Sequence, residues 1–494
     1  MGAAAAPAHG LDQSGVRCRG VPRACPPGRR AVHDIDRRAK HDGPAPGALP
    51  PGFAVELKTW PAGSRRRTIS AQAVRTPREA AITENPVVDA VPLSRNRGYH
   101  VLWSSMLLAE LASEVAYIAL PLLVLAHGGS AAQVAAVAAV LAGTRMACGV
   151  PAGVLADRCD RRVLMLVAQG ARALAMVGMV VTLATGAYSF AVVLVVAAVE
   201  GVGGSVFQPA EHAALPQVVP VSQLSDALAR NAARPFAAVL IGPVLAGATF
   251  ALHQVWPFSI EAAVLALSFA VLLTLRLPRV AVVSTEPERR SVAGFRWLLR
   301  QPLLRATALW LFAVNLGFHA LVVTVLIVSG VDGVGYGEIG LTMACLGVGG
   351  LVGSLAAGPV HAAVRPGVIV VGASWVFAVV VGMMSVVPAG LSLGVLLGVA
   401  AAFFPIAGTT VMTYQLTSVP DELRGRLSGV VGLCTDLAGT AGPLVGGLLI
   451  TVTGSARTGI PACAVLLAVA AVGASLSPTL RRFPKTPSGR RNPP

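Results

Sequence analysis

Residues 131–162 read AAQVAAVAAVLAGTRMACGVPAGVLADRCDRR. Up to Leu155 the stretch holds one charged residue, Arg145; Asp157, Arg158, Asp160, Arg161 and Arg162 then arrive together. Such an apolar run matches the roughly 20 residues that a helix needs to cross a bilayer. A transmembrane β-strand would be about half as long and would alternate polar and apolar residues. This run does not alternate, so the stretch predicts a membrane-spanning helix that ends in a basic turn.

Working outward, comparable runs fill the chain from Leu102 to Pro478, broken by turns rich in Gly, Pro and Arg. They define twelve expected spans: 103–126, 131–155, 163–185, 189–211, 224–249, 255–275, 304–328, 336–358, 367–387, 391–415, 427–451 and 459–477. Composition agrees. With 54% hydrophobic residues, 13% charged residues and 53 Gly, a water-soluble chain of 494 residues would have more apolar surface than it can cover. The expected fold is all-α and polytopic.

Loop charge orients the stack. Arg95 and Arg97 precede the first span, and Arg158, Arg161 and Arg162 follow the second. Arg276, Arg279, Arg289, Arg290, Arg296, Arg300 and Arg305 surround the connection between the sixth and seventh. Arg365, Arg424, Arg426, Arg481, Arg482 and Lys485 fall on the same side, whereas the opposite loops carry only Arg457. The positive-inside rule therefore places both termini and the central connection in the cytoplasm, and the expected location is the inner (plasma) membrane. The net charge of +16 is explained by this topology rather than by nucleic-acid binding.

The chain divides into an N-terminal extension at 1–95, a six-helix half at 96–275, a cytoplasmic connection at 276–303, a second six-helix half at 304–478 and a cytoplasmic tail at 479–494. The extension is rich in Pro, Ala, Gly and Arg and sustains no apolar period, so disorder is expected there. Ala3 to Ala6 is too short to form a signal-peptide core; an unconstrained extension, or upstream sequence translated from an early start codon, is a stronger reading of the segment than a cytoplasmic regulatory tail. The halves echo one another. Leu215-Pro216 precedes Gly242-Pro243-Val244-Leu245-Ala246-Gly247, and Val419-Pro420 precedes Gly442-Pro443-Leu444-Val445-Gly446-Gly447. Two parallel repeats of this size suit alternating access to a midplane cavity.

In the opening stretch, Gly149 and Gly153 lie four apart and allow a close helix neighbour. Asp157 sets a carboxylate at the membrane edge, where arginines or helix N-terminal N–H groups would satisfy it and hold one access state shut. A basic topological loop relieved by an acid is the simpler alternative.

On these residues the chain resembles the major facilitator superfamily, whose loop between the second and third spans reads G-x-L-a-D-r-x-G-R-[KR]. Gly153, Leu155, Asp157, Arg158, Arg161 and Arg162 match, and Asp160 stands where glycine is usual. It is similar in particular to the branch of enterobactin exporters and macrolide efflux proteins. The carrying elements are Ala119-Leu120-Pro121-Leu122-Leu123-Val124-Leu125, Phe207-Gln208-Pro209-Ala210, Leu215-Pro216, Leu224 with Asn231, Gly242-Pro243, and Val419-Pro420-Asp421-Glu422-Leu423-Arg424-Gly425-Arg426.

The resemblance implies a major-facilitator-type fold of two six-helix halves and export of an amphipathic small molecule such as a drug, antibiotic or siderophore-like metabolite. Proton coupling is expected from the two halves, the motif around Asp157 and the acids within the spans, and a functional monomer is expected. Switch roles fall on Gly149, Gly153, Asp157, Arg158, Arg161 and Arg162, on Gly242, Pro243 and Gly247 of the exporter-associated motif, and on Asp421, Arg424 and Arg426. The fourth span lacks the arginine that many proton antiporters of the superfamily carry, so coupling cannot be transferred from that position.

Ionisable residues within the spans are the candidates for coupling or substrate binding: Glu110, Glu114, Arg145, Glu200 and Glu261. Each needs a partner, a wet cavity or the interface, because a lone charge in hydrocarbon is costly. Glu114 leads, with Arg145 as counter-charge across the first two spans; a permanent structural ion pair is the alternative. Arg230, Arg234 and Asp436 also fall in spans. Phe207, Phe236, Phe318 and Tyr414 are candidate linings of an apolar site, while Trp103, Trp256, Trp297 and Trp310 read as interface anchors.

No metal or cofactor is implied. The 7 Cys include no C-x-x-C, and Cys148, Cys345, Cys434 and Cys463 read as small packing residues. There is no G-x-x-x-x-G-K-[ST] loop for ATP and no convincing hydrolase motif, so an enzyme is not expected. Uptake or facilitated diffusion, and a membrane sensor or scaffold without transport, are the other readings.

Overall fold

The computed structural model describes residues 92–277 and 301–481 apart from Ala233 and Pro420, without the side chains of Val221, 416–418, 421–426 and 428. The N-terminal extension to residue 91, most of the central connection and the tail beyond 481 lie outside the described residues. All regular structure among those described is helical. Twelve helices are long and apolar enough to cross a membrane.

These are α1 (Arg97–Ala126), α2 (Ala131–Arg158), α3 (Arg161–Ala184), α4 (Phe190–Val218), α5 (Leu224–Leu252, in two pieces) and α6 (Trp256–Leu273). The second series is α7 (Pro302–Val331), α8 (Tyr336–Ala363), α9 (Pro366–Met384), α10 (Leu391–Ser418), α11 (Asp421–Thr453) and α12 (Ala456–Leu476). A short α13 (Pro478–Arg481) follows. Every expected span has its helix, but several overrun the apolar stretch. α4 continues through Pro209 and Pro216 to Val218 instead of stopping near 211, and α11 starts at Asp421 rather than 427. Polar residues beyond the hydrocarbon are solvated and need not end a helix.

Local chemistry sets the starts. Ser130 and Gln133 form a reciprocal capping box on α2. Asp160 caps α3 by accepting from the backbone N–H groups of Arg162 (2.9 Å) and Val163 (3.3 Å). That cap explains why aspartate serves where the family motif has glycine.

The two halves use the same packing plan. α1 packs on α5 and α6, α2 on α4, and α3 on α4 and α6; correspondingly α7 packs on α11 and α12, α8 on α10, and α9 on α10 and α12. Turns repeat as well. Gly128 (φ 71), two residues past α1, corresponds to Gly333 (φ 74), two residues past α7. The half-to-half echo therefore extends to turn conformations that favour glycine. The bundles meet through α2 against α11 and α5 against α8.

Those seams close at the end of the bundle away from the basic loops. A Cβ on Gly447 would stand 2.5 Å from that of Ala135, and one on Gly247 would stand 2.7 Å from the Cα of Gly340. Toward the basic end, Gly149 and Gly153 of α2, Gly358 of α8, and Gly429 and Gly432 of α11 have open space where a Cβ would be. At the closed end Arg457 pairs with Asp332 at 3.0 Å.

Outward faces carry aliphatic side chains, with Leu174 and Leu355 each 73% exposed, as expected where lipid is the solvent. Trp310 departs from the anchoring role: it is buried in α7 and donates its indole N–H to Ser374 Oγ at 2.8 Å. Trp256 is exposed at the start of α6, as an anchor should be, and Trp297 lies outside the described residues. The fold is an all-α, twelve-helix polytopic membrane protein of two packed bundles.

Candidate substrate cavity and charge network

A cavity of about 400 Å³ lies between the two halves. The first half contributes Ser113, Glu114 and Tyr117 from α1, Leu141 and Arg145 from α2, and Phe236 and Val239 from α5. The second contributes Phe318, His319 and Val322 from α7, Leu346 and Gly350 from α8, and Ala401, Phe404 and Pro405 from α10. Its volume falls within the range of small-molecule sites. A smaller pocket of about 110 Å³ lies in the first half and shares Ser113, Glu114 and Arg145; Glu110, Arg172, Phe207 and Gln208 also line it.

The glycine-proline motif of α5 helps to shape this site. Gly242 of α5 faces Glu114 so closely that an added Cβ would collide with the glutamate Cβ. Gly442 of α11 does the same for His319, where the separation would be 2.6 Å. Beside them, Pro243 turns its carbonyl toward Gly340 of α8. The motif thus joins the cavity wall to the seam between halves.

Behind the cavity, Arg172 of α3 is almost fully buried. Its Nε donates to Glu200 Oε2 at 2.8 Å, and its Nη2 lies 2.7 Å from the same oxygen. It also donates to Gln169 Oε1 (3.2 Å) and Ser113 Oγ (2.9 Å), which links the ion pair to the cavity wall. Glu261 of α6 is fully buried nearby, and neither of its carboxylate oxygens has a hydrogen-bond partner. Nearer the basic end, Arg234 lies 3.3 Å from Glu211 and 3.9 Å from Glu110.

The candidate residues therefore separate into groups. Glu114 and Arg145 share the central cavity, and Glu110 joins them in the smaller pocket. Glu200 and Glu261 line neither and belong to the buried network around Arg172. Of the aromatics, Phe236 and Phe318 line the central cavity and Phe207 the smaller one, whereas Tyr414 lines neither.

At the basic end Asp157 and Arg158 are exposed. Arg161 donates to the Ala213 carbonyl at 2.8 Å and Arg162 to that of Leu273 at 2.6 Å, which ties the loop to α4 and α6. Gly247 lies at the α5–α8 seam. Asp421, Arg424 and Arg426 sit on the first turns of α11, and their side chains lie outside the described residues. Sequence reasoning missed Arg172, Glu211 and His319. A basic or acidic residue inside an apolar run was the available signal for the first two; a lone histidine beside Phe318 gave almost none.

Comparison with known proteins places this architecture. The Major Facilitator Superfamily profile matches residues 102–440. The enterobactin exporter EntS of Salmonella typhimurium is 27% identical over 350 residues, covering 68% of this chain and 81% of the exporter. EntS of Escherichia coli O127:H6 is 27% identical over 347 residues with the same coverages. Among solved structures, the nucleoside transporter NupG superposes with a TM-score of 0.65 at 10% identity, covering 77% of this chain and 99% of that one. An inward-facing bacterial homologue of the iron transporter ferroportin does so with a TM-score of 0.59 at 16% identity, over 77% of this chain and 99% of that one.

With a two-bundle fold, an interbundle cavity and a family match over most of its length, the chain belongs to the Major Facilitator Superfamily. It is a secondary transporter that carries a small molecule across the membrane, and its fold is that of transporters rather than enzymes.

Proposed function

We propose that the protein exports an amphipathic small molecule by alternating access, driven by inward proton movement, and that it works as a monomer in the plasma membrane with both termini cytoplasmic. The observation that carries this reading is a mostly apolar cavity bounded by both halves and joined, through Glu114 and Arg145, to an acid-lined pocket in one of them. With the basic loops inside, the glycine-packed end is extracellular and the arrangement is inward-facing. The exporter relatives and the Gly242-Pro243 motif support the outward direction.

In this reading Asp157 is disengaged. Closing the basic end brings it toward the start of α11, where Asp421, Arg424 and Arg426 reside. Glu114 is the coupling acid. It shares the cavity with Arg145, so charged cargo arriving beside the two changes the field in which it binds and releases a proton.

Flux of enterobactin, erythromycin and ethidium in inverted vesicles, with and without a pH gradient, tests direction and coupling together. Outward-directed, saturable, gradient-dependent flux is expected. Glu114→Gln should abolish gradient-driven accumulation while leaving insertion intact. Flux that is indifferent to the gradient would instead favour facilitated transport, the reading motivated by the missing arginine in α4.

A further inference from the structure

Three polar side chains reach the central cavity uncommitted. Among the described residues, Glu114, Arg145 and His319 make no hydrogen bond and no ion pair within 4.0 Å, including with one another. In a largely apolar cavity, such groups are the ones a ligand can engage without breaking a bond already made. Their placement is also built: equivalent glycines, Gly242 on α5 and Gly442 on α11, make room for Glu114 from one half and His319 from the other.

The chemistry of the missing ligand follows from charge and shape. Arg145 calls for an anion, and Glu114 for a cationic donor. A ligand with one charge answers one group and leaves the other, whereas a zwitterion answers both and brings no net charge into a low-dielectric site. Phe318 and Phe404, with ring centroids 4.3 Å apart, form an aromatic shelf on the second half. Ligand rings pack favourably on such a surface.

We propose that the cavity recognises an aromatic amphoteric molecule: its anionic group pairs with Arg145, its ammonium with Glu114, its rings lie on Phe318 and Phe404, and His319 hydrogen-bonds it from the second half. This rests on the reading of the cavity as the transport site.

Titration of the full chain in lipid nanodiscs with four near-isosteric probes tests it. These are the dipeptide Phe-Phe as zwitterion, N-acetyl-Phe-Phe as anion, Phe-Phe-amide as cation, and the doubly blocked form as neutral control. The zwitterion should bind about tenfold tighter than either singly blocked form. Arg145→Gln should erase the preference for a free carboxylate and retain that for a free amine. Glu114→Gln should do the reverse, and His319→Leu should weaken the zwitterion about fivefold. Unchanged elution and unfolding temperature report that each variant is folded.

Equal affinity for the four probes, no binding at millimolar concentration, or preferences unchanged in both charge variants would overturn the proposal. Charge-selective binding of Phe-Phe without its transport keeps this inference and counts against the transport reading. Saturable flux of another compound, with no charge selectivity in the titration, does the opposite.

Discussion

The first and second halves share a packing plan and differ in the side chains their membrane helices carry. Within its membrane helices the first holds Glu110, Glu114, Arg145, Arg172, Glu200, Glu211, Arg234 and Glu261. At the corresponding depth the second offers His319, Asp436, and the ring cluster of Phe318, Phe377 and Phe404. Helix packing depends on small residues and close backbones, which both halves supply, and is indifferent to the chemistry of the cavity wall. One scaffold therefore carries two different linings: most of the charges stand in the first half and the ring cluster in the second.

The largest expected effect tests whether the charges of the first half are structural as well as functional. Arg172→Met leaves Glu200 buried without its counter-ion and should cost about 3–5 kcal/mol. The double variant Arg172→Met/Glu200→Met should recover most of that in thermal unfolding. Failure to recover would mean that the pair organises more of the half than each partner's charge.

The glycine pair gives the next test, because it is where the halves are most alike. Gly242→Val and Gly442→Val should each cost about 1–3 kcal/mol by overpacking against Glu114 and His319. Similar losses of unfolding temperature would sharpen the equivalence, and loss in one alone would break it.

Smaller effects belong to the ends. Asp160→Ala removes the cap of α3 and should cost about 1 kcal/mol, read as a lower unfolding temperature. Arg457→Ala breaks an exposed ion pair at the closed end and should change stability by less than about 1 kcal/mol. A larger loss would show that the second half relies on electrostatics more than its interior suggests.

Much of this was legible along the chain. Length and apolarity define the twelve helices, since a bilayer demands both locally, and alternating arginines mark one end. The motif around Asp157 points to the family, and Gly242-Pro243 with Gly442-Pro443 point to the repeat. The site was half legible. Glu114 and Arg145 stood out as charges in apolar runs, but so did Glu200 and Glu261, and the sequence gives no means of telling a cavity group from a buried one. Nor does it reveal that Trp310 is internal, because proximity to a span end says nothing about which face a side chain occupies.

The sequence by itself determined that the chain spans a membrane, how often, and in what kind of repeat, because hydropathy, charge bias and turn residues act over a few neighbours. Only the tertiary structure decided which charges meet. Arg172 and Glu200 pair across α3 and α4, Glu114 and His319 are seated by glycines far away in the chain, and the two halves together enclose a space that neither forms alone. Those are distances between helices, set by how closely backbones approach, and no local pattern encodes them.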